Sequence, residues 1–103
     1  MKALKIAIET SDYTLPSDFK EQAQIPGGAT ITSSSHTIRR MQIDPHLIEV
    51  VIEVSGSVAI GVFANWLYDK LKGRATHVRI NRREIVLNQG EIERILQEEI
   101  EVK

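Results

Sequence analysis

The chain has 103 residues, 42% of them hydrophobic, no cysteine and a formal net charge of −1. This is the composition of one ordinary globular domain (residues 1–103), long enough to bury a core without staples. Disulfides, thiolate nucleophiles and cysteine-based zinc sites are excluded together.

Residues 3–9 alternate Leu4, Ile6 and Ile8 against Lys5 and Glu9, which predicts a first strand. The amino end carries too short an apolar run for a signal peptide, so a cytoplasmic location is expected. Polar residues lead to Pro16, after which Phe19 and Ala23 at i and i+4 predict a short helix over 17–24, stopped by Pro26-Gly27-Gly28. Residues 29–38 favour extended structure but hold few apolar anchors, which suggests an edge or irregular strand. Asp44-Pro45 marks a turn, and residues 47–54 form the strongest strand, with Val50, Ile52 and Val54 on one face and Glu49, Val51 and Glu53 on the other.

Residues 57–72 predict a long helix, capped by Ser55 or Ser57 and closed by a left-handed Gly73. Ile60, Phe63, Ala64, Leu67 and Leu71 make one apolar stripe, and Val58, Val62 and Trp66 a second beside it. A helix apolar around so much of its circumference needs cover on more than one side. Val58, Val62 and Trp66 are therefore candidate protein-interaction residues, for another protein or a second copy. The apolar part, residues 58–68, is too short to span a bilayer, so no membrane span is expected.

Val78 and Ile80 alternate with His77 and Arg79 in a strand over 76–80, Asn81 suits a tight reversal, and residues 84–87 return antiparallel. Asn88 with Glu91 three residues on predicts a capping box, opening a helix that carries Ile92, Ile95, Leu96 and Ile100. Strand 47–54, helix 57–72 and strand 76–80 read as a βαβ unit with parallel strands. With the preceding elements this gives an α+β class: a ferredoxin-like two-layer sandwich, a mixed sheet with helices on one face, plus a carboxy-terminal hairpin and helix.

Motifs of catalysis fall short in each case. Gly56 and Gly61 have phosphate-loop spacing, but Val62 and Phe63 stand where Lys and Ser/Thr are required. His36, His46 and His77 lie in three separate elements without ligand-pair spacing, so no metal or other cofactor is expected. Ser33-Ser34-Ser35 with His36 and Asp44 has the residue types of a triad but no nucleophile elbow. The chain therefore reads as a non-enzyme, with a small ligand-binding or enzymatic ferredoxin-like domain as one alternative.

The other alternative comes from charge. Residues 68–83 carry six Lys/Arg against one Asp/Glu, between two acidic stretches. Lys70, Lys72, Arg74, Arg79, Arg82 and Arg83 are the residues a phosphate-directed nucleic-acid contact would use, although no aromatics interleave with them.

The run 56–99 resembles the bacterial effector-associated constant component family. Gly56-Ser57 opens an apolar helix ending in Trp66-Leu67, followed by Lys70, Lys72 and Arg74, the alternating stretch His77 to Ile80, and a final amphipathic helix with Ile92, Ile95 and Leu96. The resemblance implies a non-catalytic adaptor that accompanies an effector enzyme or a nucleotide-driven switch, in a bacterial defence or signalling system. It supplies no active-site residues.

Overall fold

Alternation along four segments builds one sheet. In the computed structural model, which describes residues 2–37 and 46–100, the strands are β1 (Lys2–Thr10), β2 (Gln24–Ile25), β3 (Ala29–Thr37), β4 (His46–Val54), β5 (Ala75–Ile80) and β6 (Arg83–Ile85). They lie in the order β2-β3-β4-β1-β5-β6. Two helices, α1 (Ile60–Leu71) and α2 (Gln89–Ile100), complete the α+β fold. Leu4, Ile6 and Ile8 of β1, Ile48, Val50 and Ile52 of β4, and Val78 and Ile80 of β5 join Phe63, Leu67 and Leu71 of α1 and Ile92, Ile95 and Leu96 of α2 in a single core.

The expected parallel neighbours are not present. β4 and β5 do run the same way, but β1 lies between them and pairs antiparallel with both. Every neighbouring pair is antiparallel, so the sheet is not mixed. The crossover through α1 steps over one strand because the first strand, apolar on one face from Leu4 to Ile8, fills the centre.

The helix expected over 17–24 is replaced by a single 3-10 turn, Leu15–Asp18, followed by β2. So short an isolated helix is marginal on its own. Here the backbone of Gln22 and Ala23 is taken up by Ile31 instead: Gln22 N donates to Ile31 O at 2.7 Å, and Ile31 N to Ala23 O at 3.0 Å. Leu15 and Phe19 still reach the core.

β3 carries a bulge between Ile31 and Ser33. Before it, Ala29 and Ile31 face the helices; after it, Ser34 and His36 pair with Val50 and Ile48 and so take that side.

The long helix starts later than expected. Its N-cap is Ala59, without a side-chain cap, and neither Ser55 nor Ser57 fills that role. The β2–β3 turn supplies the missing acceptors: Gly27 O accepts from Ala59 N at 2.7 Å and Gly28 O from Ser55 N at 3.1 Å. Gly27 has φ +101°, and a Cβ there would stand 2.9 Å from the Ala59 carbonyl oxygen, so no larger residue fits. At the other end Gly73, φ +71°, closes the helix as expected. Asn88 caps α2 through Glu91 N at 3.2 Å; Glu91 pairs with Arg94 rather than completing the capping box. Asn81 and Arg82 both have positive φ, forming the tight β5–β6 reversal.

Candidate functional site

Both helices cover one face of the sheet, and the other face carries the surface most available for contact. β1 sends Ala3, Lys5, Ala7 and Glu9 there, and β4 sends Leu47, Glu49, Val51 and Glu53, all exposed or half-buried. The registers align one row across five strands: Ser35, Glu49, Ala7, Arg79 and Glu84. The neighbouring row is Thr37, Leu47, Glu9 and His77.

Ala7, small and central, leaves a dip. A depression of about 160 Å³ is lined by Lys5, Ala7, Glu49, Arg79 and Arg82, and a smaller one of about 10 Å³ adjoins it beside Leu47 and His77. Both are below the roughly 300 Å³ at which small-molecule pockets begin. Lys5 Nζ lies 3.5 Å from Glu49 and His77 Nδ1 3.2 Å from Glu84. Such exposed pairs hold little energy and leave the charges available to a partner.

The second polar concentration is at one end of the sheet. Arg74, just before β5, donates from Nε to Asp12 at 2.7 Å, from one terminal nitrogen to Asp18 at 2.9 Å, and from the other to Thr14 at 3.1 Å. Hydrogen bonds from Thr14, then the guanidinium of Arg74, hold the Asp12 carboxyl well below the usual carboxylate range. This network ties the loop after β1 to the end of α1, and its charges are spent internally.

Beside it, His46 is 2% exposed, its ring stacked on Tyr13 at 4.4 Å and its Nδ1 2.5 Å from His36 Nε2. Its Nε2 finds no hydrogen-bond partner among the described residues. Burial pushes the His46 pKa down, the neighbouring His36 adds to this, and Asp12 opposes it. Among the described residues no three His, Asp or Glu side chains gather as a metal cluster would require. Asp44, considered with the serines of 33–35, lies outside the described residues, as does Ile38.

The candidate residues are dispersed. Val58 is half-buried against the core, and Trp66 packs edge-on to Phe19 at 5.6 Å, so the fold supplies much of their cover. Val62, 49% exposed, is the member of that stripe left to solvent. Of the basic residues, Lys70 pairs with Asp18, Lys72 with Asp69, Arg74 with Asp12 and Asp18, and Arg83 with Glu98 and Glu99. Arg79 and Arg82 have no ion pair among the described residues, and both line the depression around Ala7. His36 and His46 meet although they come from different strands, which their spacing in the chain does not indicate.

The centre of the open face was missed in the sequence. Its signal was the small residues Ala3 and Ala7 at outward positions of a strand whose central inward positions, Leu4, Ile6 and Ile8, are large. Among the described residues no helix is long and apolar enough to cross a membrane. Neither protein-family models, nor curated proteins, nor solved structures match the chain.

Proposed function

We infer that this chain is a non-catalytic protein–protein interaction module whose contact surface is the open sheet face, with Val62 on α1 as a second contact point. The observation that carries this reading is the face itself: five strands present a shallow, small-residue centre at Ala7 ringed by charges of both signs. Flat polar rims around an apolar centre suit protein contact better than a small ligand. The resemblance of residues 56–99 supports a role as an accessory adaptor in a bacterial defence or signalling system. The order β3-β4-β1-β5 with α1 as crossover supports a ferredoxin-like plan in which the first crossover helix is replaced by the segment between β1 and β3.

Arg79, Arg82 and Lys5 around one depression favour a second reading, a phosphate contact with nucleic acid. Glu49 in the same depression, with Glu9 and Glu84 close by in register, works against it. A salt titration on generic DNA and RNA separates the two, since phosphate binding weakens steeply as salt rises.

The test of the main reading is capture of any protein, a second tagged copy included, by the wild type, Ala7→Arg and Val62→Arg. Loss of capture with Ala7→Arg, in a variant that keeps its circular dichroism, is expected. Undiminished capture by both variants, or none by the wild type, sinks the reading.

A further inference from the structure

On the open face the two strands that flank β1 differ in sign, with Glu84 beyond them on β6, where it pairs with His77. β4 contributes Glu49 and Glu53; β5 and the turn after it contribute Arg79 and Arg82. β1 lies midway, and because Ala7 is in register with both Glu49 and Arg79, acid and base stand in one row at equal distance on either side of it.

We propose that the open face packs against the open face of a second copy of this chain, about a two-fold axis running along β1, so that Glu49 of each copy meets Arg79 of the other. The inference rests on the reading of this face as a contact surface and names its occupant.

Two sheets packed face to face must be related by an axis lying between them. An axis across the strands would set Glu49 over Glu49 and Arg79 over Arg79, which is repulsive. An axis along β1 exchanges the β4 side for the β5 side and leaves the row unchanged, so both cross-pairs form at once. This is the self-complementarity that a two-fold interface requires.

Ala7 falls on the axis, where a small side chain lets the sheets approach, while Leu47 and Val51 flank it as the apolar filling. Lys5 and Glu9 also fall on the axis, where each is set beside its own copy, the like-charge cost of this arrangement. Lys5 leans to Glu49 at 3.5 Å, which draws its ammonium group off the axis, and Glu9 is in register with His77.

The overlap is modest. An axis along β1 sets β4 over β5 and β3 over β6 and leaves β2 outside. Roughly 430 Å² of sheet is then covered on each partner at ~4.8 Å between strands, about half the ~800 Å² of a standard interface, which fits a weak dimer that forms at high concentration. A uniformly basic partner would meet Arg79 and Arg82 and an acidic one Glu49 and Glu53; a second copy answers both.

The experiment is sedimentation velocity from low micromolar to near-millimolar concentration on wild type, Glu49→Arg and Arg79→Glu, each checked for native circular dichroism, and on an equimolar mixture of the two variants. The wild type is expected to dimerise, each variant alone to be monomeric where the wild type is dimeric, and the mixture to recover the dimer, because both cross-pairs are then restored with signs exchanged. A role of either residue confined to its own fold would not produce recovery on mixing. A wild type monomeric at the highest concentration, single variants that dimerise like the wild type, or a mixture that stays monomeric overturns the proposal. A monomeric wild type that still captures another protein, and loses it with Ala7→Arg, overturns the pairing with itself and leaves the interaction reading standing.

Discussion

On β1, Leu4, Ile6 and Ile8 are wholly buried, while Ala3, Lys5, Ala7 and Glu9, placed between them, face away from both helices. The same contrast runs along β4, where Ile48, Val50 and Ile52 are buried and Leu47, Glu49, Val51 and Glu53 are half-exposed. Strand geometry is common to both sides, so the difference lies wholly in side chains. One side is selected for volume, and its residues are large and aliphatic. The other is selected for approach and sign, with small residues at the centre and opposite charges on flanking strands. The opposition is between the two strands that flank β1, Glu49 and Glu53 on β4 against Arg79 on β5, with Lys5 and Glu9 between them and Glu84 beyond Arg79.

The largest break in this comparison comes from adjacent positions. Ile6→Ala leaves a cavity between sheet and helices and is expected to cost about 3 kcal/mol, whereas Ala7→Ser next to it should stay within about 0.5 kcal/mol. Urea unfolding of both variants measures this, and equal costs would mean that the two faces are not distinct.

A smaller effect concerns the end of the sheet, where a polar group does enter the buried side. His46 holds its pKa below the ordinary value in the fold, so the unfolded chain takes up a proton first as pH falls. Stability is therefore full above about pH 6.5 and declines below it, by at most about 1.4 kcal/mol per pH unit for one proton. The depressed Asp12 carboxyl acts with the same sign at lower pH: its contribution is present above its unfolded pKa and is lost as acid protonates the folded carboxylate. Urea midpoints between pH 7.5 and 5, wild type against His46→Gln, should show a fall in the wild type that the variant lacks; parallel curves would contradict the assignment.

The smallest effect sharpens the register on the open face. Arg82 has φ +73° at the second position of the β5–β6 reversal, where glycine is unstrained. Arg82→Gly is expected to raise stability by about 0.5 kcal/mol, since relief of strain outweighs the added freedom of the unfolded chain. The turn is held from the other side by Asn81, whose Oδ1 accepts from Lys5 N at 2.9 Å and whose own N donates to Lys5 O at 2.8 Å. That clamp fixes where Arg79 stands relative to Ala7.

Period-two patterning in residues 3–9, 47–54 and 76–80 carried those three strands and their inward faces, because each strand buries one side against helices. The cap at Asn88 and the close at Gly73 were equally readable, since each is a local requirement of one residue. What depended on distant partners was not. Residues 17–24 look helical until Ile31 claims the backbone of Gln22 and Ala23, and the serines before α1 look like caps until the Gly27 and Gly28 carbonyls arrive from another turn. Strand order was equally hidden: β1 slips between β4 and β5 and converts an expected parallel pair into two antiparallel ones. For the contact surface, Val58 and Trp66 drew attention through size, yet the row through Ala7 emerges only when three strands are laid in register.

The bulge in β3 has a reach beyond its own strand. Thr32, whose hydroxyl donates to Val51 O at 3.2 Å, is the extra residue that resets the alternation. Take Thr32 into regular alternation, without the bulge, and the parity of everything downstream inverts: Ser33 and Ser35 would turn toward the helices and His36 toward the open side. The imidazole pair is thus addressed by a single irregularity four positions upstream, and a one-codon deletion of Thr32 would straighten the strand while leaving Ser33 opposite Val51 and His36 opposite Ile48.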